Sequence, residues 1–158
     1  APVALILSRQ GLPVIDRERY APATGALRGG YILADTEDTP EIILISTGSE
    51  VHQALEAFEK LSKEGIKVRV VSMPNWNLYE RQDREYQESV LPSNVQTRIS
   101  IEAGSTFGWN RFTGLSGTGK VMGMKTFGAS GKLNSLLEEF GLTTDEIVKN
   151  SKSLIQRI

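Results

Sequence analysis

The sequence has 158 residues, about the length of one domain and enough to bury a real hydrophobic core. Its formal net charge of −1 provides no positive field to attract nucleic acid or an anionic membrane surface, and no apolar run approaches the ~20 residues that span a bilayer. The absence of cysteine excludes a disulfide framework and a thiolate metal site, and it is compatible with a reducing cytoplasm.

The chain opens with a continuous apolar run, PVALILS, in which residues 3–7 predict a strand buried on both faces. A natural N-terminus rarely begins inside such a strand, so we expect a fragment of a longer polypeptide. Residues 11–30 combine prolines, glycines and charges without a sustained period, which is typical of a linker. We place the domain boundary there, so that residues 1–27 end one domain and residues 28–158 form the next.

Two strands are predicted after the linker. Residues 31–34 predict a short strand, and residues 42–46, IILIS, predict a fully buried one. The polar segment TEDTP between them predicts a turn. Because strands joined by a short turn run in opposite directions, we expect this pair to supply one antiparallel member of the sheet.

The clearest helix of the sequence follows the second strand. Thr47 and Glu50 have the spacing of a capping box, in which each side chain satisfies a backbone N–H group at the helix start. Apolar residues then recur at helical spacing as far as Gly65, which supplies a left-handed stop. Residues 67–73 predict the next strand. Such a crossover is right-handed, so the two strands it joins should be parallel.

The second half of the sequence continues the alternation of helix and strand. A weaker helical pattern over residues 77–91 ends at Pro92, and residues 97–102 predict a strand. A glycine-rich segment then leads to a short strand at residues 121–124.

Two helices complete the sequence. Residues 133–140 form an amphipathic pattern that ends at Gly141, and Thr143 with Glu146 makes a second capping box for a final helix. All these elements together predict an α/β fold: a three-layer α/β/α sandwich with a mixed, mostly parallel sheet of about five strands.

The stretch GLSGTGKV, residues 114–121, has the glycines and the lysine of a nucleotide-binding phosphate loop. Val121, however, stands where that loop needs a hydroxyl group to hold Mg²⁺. A phosphate loop also leads into a helix, whereas the residues after Lys120 predict a strand. These two departures favour a simple turn.

Residues 46–50, STGSE, lie where α/β sheets bind ligands, at the carboxyl end of a strand beside a helix start. Structural capping and anion binding both remain open, and capping is favoured because most helix starts bind only water. His52, the sole histidine, has no Ser, Cys or Asp placed near it as a partner, which favours an exposed helix residue over a general base. With one histidine and no cysteine, a conventional zinc site is not expected.

Two further features are candidates for binding. Residues 101–112, IEAGSTFGWNRF, place Phe107, Trp109 and Phe112 among glycines, a composition typical either of an interface anchor or of ordinary domain packing. Arg9 follows the first predicted strand, where its guanidinium fork would suit a phosphate group, with a surface salt bridge as the alternative.

Six segments, in this order and spacing, resemble the C-terminal region of the transketolase family: LSRQGLPV, ILISTGSEV, GIKVRVVSMP, ESVLP, EAGSTFGW and FGAS. The resemblance runs from about Pro2 to near Ile158. It implies that residues 1–27 are the last strand of a middle, pyrimidine-binding domain with a linker, and that residues 28–158 are the C-terminal domain. The related domains of deoxyxylulose-phosphate synthase and of the pyruvate dehydrogenase beta-type subunit are alternatives that should match EAGSTFGW less well.

The resemblance also implies a reaction. Transketolases move a two-carbon ketol unit from a ketose phosphate to an aldose phosphate, in the pentose phosphate pathway, with thiamine diphosphate and a divalent metal, Mg²⁺ or Ca²⁺. The arginine of the family's S-R-Q motif helps to hold the sugar phosphate, and that position is Arg9. No other functional residue carries over, so Glu50, His52 and Lys120 receive no catalytic role.

For this chain, the resemblance implies a supporting part in a larger enzyme. The cofactor and metal sites would lie in the N-terminal and middle domains, so none is expected within these residues. The parent would be a cytoplasmic homodimer, and this domain would support the dimer without catalysing the reaction alone. The alternative is a stand-alone, anion-binding regulatory module that uses STGSE.

Overall fold

The computed structural model describes residues 4, 5, 7–114 and 117–157. Within these residues one sheet contains five strands: β1 (Tyr31–Ala34), β2 (Ile42–Ser46), β3 (Val68–Ser72), β4 (Arg98–Ser105) and β5 (Gly119–Met124). The α-helices are α1 (Val51–Lys63), α2 (Trp76–Glu80), α3 (Arg84–Val90), α4 (Asn110–Thr113), α5 (Leu133–Glu139) and α6 (Thr144–Ile155). Short 3₁₀ helices lie at Ala23–Arg28 and Gly48–Glu50.

The sheet is mixed and mostly parallel, with the spatial order β1–β3–β2–β4–β5. Strands β2, β3, β4 and β5 run parallel, and β1 is antiparallel to its neighbour β3. The predicted fold class is therefore confirmed, including one antiparallel strand. The partner of β1 differs from the expectation, because β3 and β4 occupy both edges of β2 and leave no free edge for β1.

Helices cover both faces of the sheet, which gives the three predicted layers. Alternate side chains of a strand point to opposite faces, so Ile42 and Leu44 of β2 enter one core while Ile43 and Ile45 enter the other. The first core is closed by α1 and α6. The second core is aromatic, and the residues that close it include Tyr79, Val90, Trp109 and Phe112. Every residue of β2 is buried, as its apolar run Ile42–Ile45 predicts, and the buried Ser46 hydroxyl donates to the Ile101 carbonyl at 2.9 Å.

The buried strand predicted at residues 3–7 is not present at the residues of that segment that the structure describes. Residues 4, 5 and 7 have no regular secondary structure, and the side chains of Leu5 and Leu7 are 79% and 76% exposed. Val3 and Ile6 lie outside the described residues. An apolar strand becomes buried only where a neighbouring strand satisfies its backbone groups, and none of the described strands pairs with this segment.

Residues 11–22 of the expected linker contain no helix or strand, residues 23–28 form the first 3₁₀ helix, and side chains from Ile15 onward are fastened to the domain. Ile15, Tyr20 and Ala26 pack against the core formed with α1. The Tyr20 hydroxyl donates a hydrogen bond of 2.6 Å to the Glu59 carboxylate of α1, and Arg19 forms an ion pair with the same carboxylate. The hydrogen bond from Tyr20 holds the pKa of Glu59 below its usual value, while burial raises the pKa of Tyr20 to about 12.

The helix predicted over residues 77–91 is in fact two short helices, α2 and α3, because polar residues cap each one separately. Asn75 Oδ1 accepts a 2.9 Å hydrogen bond from the Leu78 N–H at the start of α2. Asp83 Oδ1 accepts a 2.7 Å bond from the Tyr86 N–H at the start of α3.

The helix predicted after Thr143 is present as α6, but only half of its capping box forms. Thr143 Oγ1 accepts from the Glu146 N–H at 3.3 Å, whereas the Glu146 carboxylate pairs with Lys149. No helix in the described part of the chain is long and apolar enough to cross a membrane.

Candidate functional site

Four parallel strands of the sheet end at one edge, called the carboxyl edge below. It carries residues 47–50 after β2, residues 73–75 after β3, residues 106–109 after β4 and residues 125–132 after β5. The chain passes from β2 to β3 on one side and then returns to β4 on the other side of β2. The carboxyl ends of β2 and β4 therefore flank a topological switch point, the usual location of ligands in open α/β sheets.

Glu50 fills the space beside this switch point. Its side chain is buried at 5% exposure. The Ser49 hydroxyl donates to Glu50 Oε1 at 2.7 Å, and the Ala103 N–H donates to Glu50 Oε2 at 2.9 Å. This carboxylate therefore fastens the end of β4 to the start of α1.

The capping box predicted for Thr47 and Glu50 is wrong. The Thr47 side chain makes no capping hydrogen bond, and the Glu50 carboxylate bonds across to Ala103 rather than back to Thr47. A 3₁₀ turn at Gly48–Glu50 intervenes, so α1 begins only at Val51 and Thr47 is too far from its first N–H groups.

This arrangement disfavours anion binding at STGSE. The two donors, Ser49 and Ala103, are already bonded to an internal carboxylate. A second anion at the same place would lose those donors and meet a like charge in a partly desolvated position. Glu50 itself occupies the position that an external anion would need.

Residues 101–112 carry both buried and exposed aromatic side chains. Their burial decides, residue by residue, between domain packing and an interface anchor, the two interpretations that the sequence left open. Trp109 is buried, and its Nε1–H donates a 2.8 Å hydrogen bond to Glu102 Oε2. Its ring meets Trp76 edge-on with 4.8 Å between centroids. Phe112 is also buried, whereas Phe107 is 86% exposed. Trp109 and Phe112 therefore serve domain packing, and Phe107 does not.

Gly108 is required for this packing. Its φ of +87° lies in the left-handed region, and a Cβ atom there would approach Trp76 Cζ3 to 2.8 Å. The glycines of EAGSTFGW thus place Trp109 beneath the loop while Phe107 remains on its surface.

The sequence analysis assigns no role to Arg98. In the structure its side chain joins several backbone segments around the second core. Its guanidinium donates to four backbone carbonyls at 2.7–3.2 Å, those of Leu91, Pro92, Val95 and Phe112. Burial lowers the pKa of Arg98. The sequence signal was a charged residue at the start of a buried strand. Its acceptors, however, lie in the segment after α3 and in the short helix α4, and no sequence periodicity shows that these come together.

Arg9, the predicted phosphate ligand, lies in the irregular N-terminal segment and is exposed. No hydrogen bond or ion pair joins its guanidinium to another residue that the structure describes. The nearby Ser8 hydroxyl donates to the Gln10 carbonyl at 3.3 Å. The surface salt bridge considered as an alternative is therefore absent among the described residues, and the donor fork faces solvent.

The remaining candidate residues gain no catalytic or binding role from the contacts that the structure describes. His52 lies on α1 and is partly buried rather than exposed as predicted. Lys120 lies in β5 and donates to Asn150 Oδ1, so the strand predicted after GLSGTG is confirmed. Leu115 and Ser116 of that stretch lie outside the described residues. Within residues 7–114 and 117–157, no three histidine or acidic side chains come together in a group that would hold a metal ion.

Comparison with known proteins decides the family. The model of the "Transketolase-like TK C-terminal domain" family matches residues 29–143. The chain belongs to this family. Transketolase 1 of Escherichia coli is 48% identical over 154 residues, a match that covers 98% of this chain. Transketolase of Staphylococcus epidermidis is 43% identical over 153 residues, or 97% of the chain. The resemblance to the transketolase C-terminal region is thereby confirmed.

Solved transketolase structures agree with this assignment. A structure from Pichia stipitis in complex with sedoheptulose 7-phosphate superposes with a TM-score of 0.80 at 34% identity, covering 94% of this chain and 20% of that one. A transketolase from Leishmania mexicana gives a TM-score of 0.77 at 36% identity, covering 85% of this chain and 19% of that one. The present chain spans only 23% of the length of the E. coli and S. epidermidis transketolases.

Proposed function

We propose that the chain is the C-terminal part of a transketolase that transfers a two-carbon ketol group from ketose phosphates to aldose phosphates in the pentose phosphate pathway. The observation that carries this proposal is the 48% identity with a transketolase along 98% of the chain. The parent enzyme would use thiamine diphosphate with Mg²⁺ or Ca²⁺ and would work as a cytoplasmic homodimer.

The residues described here do not fit the cofactor. A thiamine diphosphate site needs a divalent metal to neutralise the diphosphate, and the described residues include no acidic or histidine cluster that would hold one. The donors at the carboxyl edge that would suit a diphosphate are bonded to Glu50. We therefore assign cofactor and metal binding to the missing N-terminal and middle domains.

Within this chain, the proposed contact with substrate is Arg9. A guanidinium offers two parallel N–H groups that match two phosphate oxygens, and a charge-assisted pair of this kind is stronger than a neutral hydrogen bond. The exposure of Arg9, with no competing carboxylate among the described residues, supports this role. The missing domains would bring the sugar phosphate to Arg9 and supply the reacting groups.

The sheet domain has a supporting role in this proposal. Its cores are closed on both faces and its switch point is occupied by Glu50, which supports a scaffold role over a ligand-binding one. We propose that this scaffold helps to hold the parent enzyme and its dimer together. A stand-alone anion-binding module is disfavoured by the same carboxylate. The chain alone is expected to be inactive.

The test is steady-state kinetics on the complete enzyme with Arg9→Ala. Loss of a charge-assisted contact of roughly 1.5–3 kcal/mol should raise KM for phosphorylated substrates by about 10- to 150-fold. Unphosphorylated substrates should be much less affected. The matched control is Arg84→Ala, which removes an exposed arginine from the start of α3 and should leave both KM values unchanged. Equal losses for the two substrate types would refute the phosphate role.

A further inference from the structure

Residues 15–21, called the strap below, form a compact turn within the linker. The Tyr20 N–H donates to the Asp16 carbonyl at 3.0 Å, and the Glu18 N–H donates to Asp16 Oδ1 at 2.9 Å. Because these bonds lie inside the strap, it attaches to the domain or leaves it as one unit.

The strap is fastened to the sheet domain by apolar and polar contacts. Ile15, Tyr20 and Ala21 pack against the first core. The Tyr20 hydroxyl donates to the Glu59 carboxylate of α1 at 2.6 Å, and the Ala21 N–H donates to the Leu33 carbonyl of β1 at 3.0 Å. Two elements of the domain therefore hold the strap, and the Tyr20 side chain contributes both an apolar and a polar contact.

Arg9 lies six positions before Ile15, the first residue of the strap. A stretch of six residues spans at most about 20 Å. Residues 10–14 between them contain no helix or strand, and Arg9 makes no polar side-chain contact with the residues that the structure describes. Among those residues, the strap is therefore the first fixed point that follows Arg9.

We propose that Tyr20 is a positioning residue for Arg9, because the strap limits how far the Arg9 guanidinium can move from the substrate phosphate. This inference rests on the proposed function, in which Arg9 binds that phosphate. If the strap detaches, the next linker residue packed against the core is Ala26. The free tether then grows from about six to about 17 residues, which lowers the effective concentration of Arg9 at the phosphate by roughly fivefold.

The test is steady-state kinetics of the complete enzyme with Tyr20→Ala. We expect KM for phosphorylated substrates to rise by about fivefold with kcat unchanged, and both constants for unphosphorylated substrates to stay at their wild-type values. A merely structural role for Tyr20 would instead reduce the amount of active enzyme and lower kcat for both substrate types. Tyr20→Phe keeps the ring packed against the core and should restore most of the affinity.

Detachment of the strap is measured separately by limited proteolysis with trypsin. Cleavage after Arg17 and Arg19, which belong to the strap, should be several-fold faster in Tyr20→Ala than in wild type. The matched control is Leu27→Ala, which truncates a large apolar side chain of the same linker that is 78% exposed. This control should leave both the cleavage rate and KM unchanged.

A double variant shows whether the strap acts through Arg9. In an Arg9→Ala background, Tyr20→Ala should add no further increase in KM. A further fivefold increase there would overturn the inference, and so would an unchanged KM in Tyr20→Ala alone. Unchanged cleavage would overturn it as well, because Tyr20 would then not fasten the strap. Arg9→Ala alone tests the phosphate role, so failure of the proposed function is distinguished from failure of the positioning role.

Discussion

The apolar runs VALIL, residues 3–7, and IILIS, residues 42–46, are close in composition but have opposite environments. IILIS forms β2, lies between β3 and β4, and is buried throughout. In VALIL, the described residues are exposed and irregular. The difference shows that neighbouring strands, rather than apolar composition alone, determine whether such a run becomes a buried strand.

This comparison separates stability from the proposed substrate contact. The free energy of unfolding should depend on the sheet, where both cores meet β2. Arg9 follows the exposed run and makes no polar side-chain contact with the residues the structure describes. Substitutions in the two regions should therefore affect different measurements.

The largest effect is expected from Leu44→Ala in β2. Leu44 is completely buried, and truncation of a buried leucine leaves a cavity, so the free energy of unfolding should fall by about 2–5 kcal/mol. The matched control is Leu7→Ala in the exposed run, which should change it by less than about 0.5 kcal/mol. Urea unfolding of both variants measures the contrast, and equal losses would show that residues 3–7 are buried in the isolated chain after all.

A smaller effect is expected from Glu50→Ala. This substitution leaves the Ala103 N–H without its acceptor, so we expect the chain to lose about 1–3 kcal/mol of stability. Glu50→Gln keeps an acceptor oxygen at the same place and should lose less. Urea unfolding compares the two. If Glu50→Ala proved as stable as wild type, Glu50 would not fasten β4 to α1.

The smallest change in unfolding free energy is expected from Tyr79→Phe, and this change should depend on pH. Its hydroxyl donates to the Gln87 carbonyl at 2.9 Å, and burial raises its pKa from 10.0 to about 12. Tyr79→Phe should lose about 0.5–1.5 kcal/mol at neutral pH. Because the folded pKa is the higher one, the tyrosine's contribution is complete below pH 10 and is lost as the pH rises from 10 to about 12.

The measurement for Tyr79 is the difference in unfolding free energy between wild type and Tyr79→Phe at a series of alkaline pH values. The difference should narrow above pH 10. Tyr20, whose pKa is also raised to about 12, is present in both proteins and cancels in this comparison. A difference that stays constant across this range would contradict a buried, neutral Tyr79 hydroxyl.

Much of the fold could be predicted because its signals are local. The continuous apolar run of β2, the helical period of α1 and the left-handed stop at Gly65 each occupy a short stretch of sequence, and each is present in the structure. The break between α2 and α3 was missed although Asp83, its cap, is a standard signal for a helix start.

The contacts of the carboxyl edge could not be predicted in the same way. The Glu50 carboxylate accepts a hydrogen bond from the Ala103 N–H, which is 53 positions away. The spacing of Thr47 and Glu50 instead predicted a local capping box. Likewise β1 pairs with β3 because both edges of β2 are taken, which is a property of the whole sheet. For Arg9, the position after a predicted strand left both a phosphate contact and a surface salt bridge open, and the family motif is what favours the phosphate role that we propose.

The most direct test of the account is an assay of the isolated chain. The chain should unfold cooperatively, since its sheet and both cores lie within the described residues. Supplied with thiamine diphosphate, Mg²⁺ and a ketose phosphate with an aldose phosphate, it should give no ketol transfer and no heat of cofactor binding in calorimetry. Thiamine-dependent turnover by the isolated chain would contradict the assignment of the cofactor and its chemistry to the missing domains.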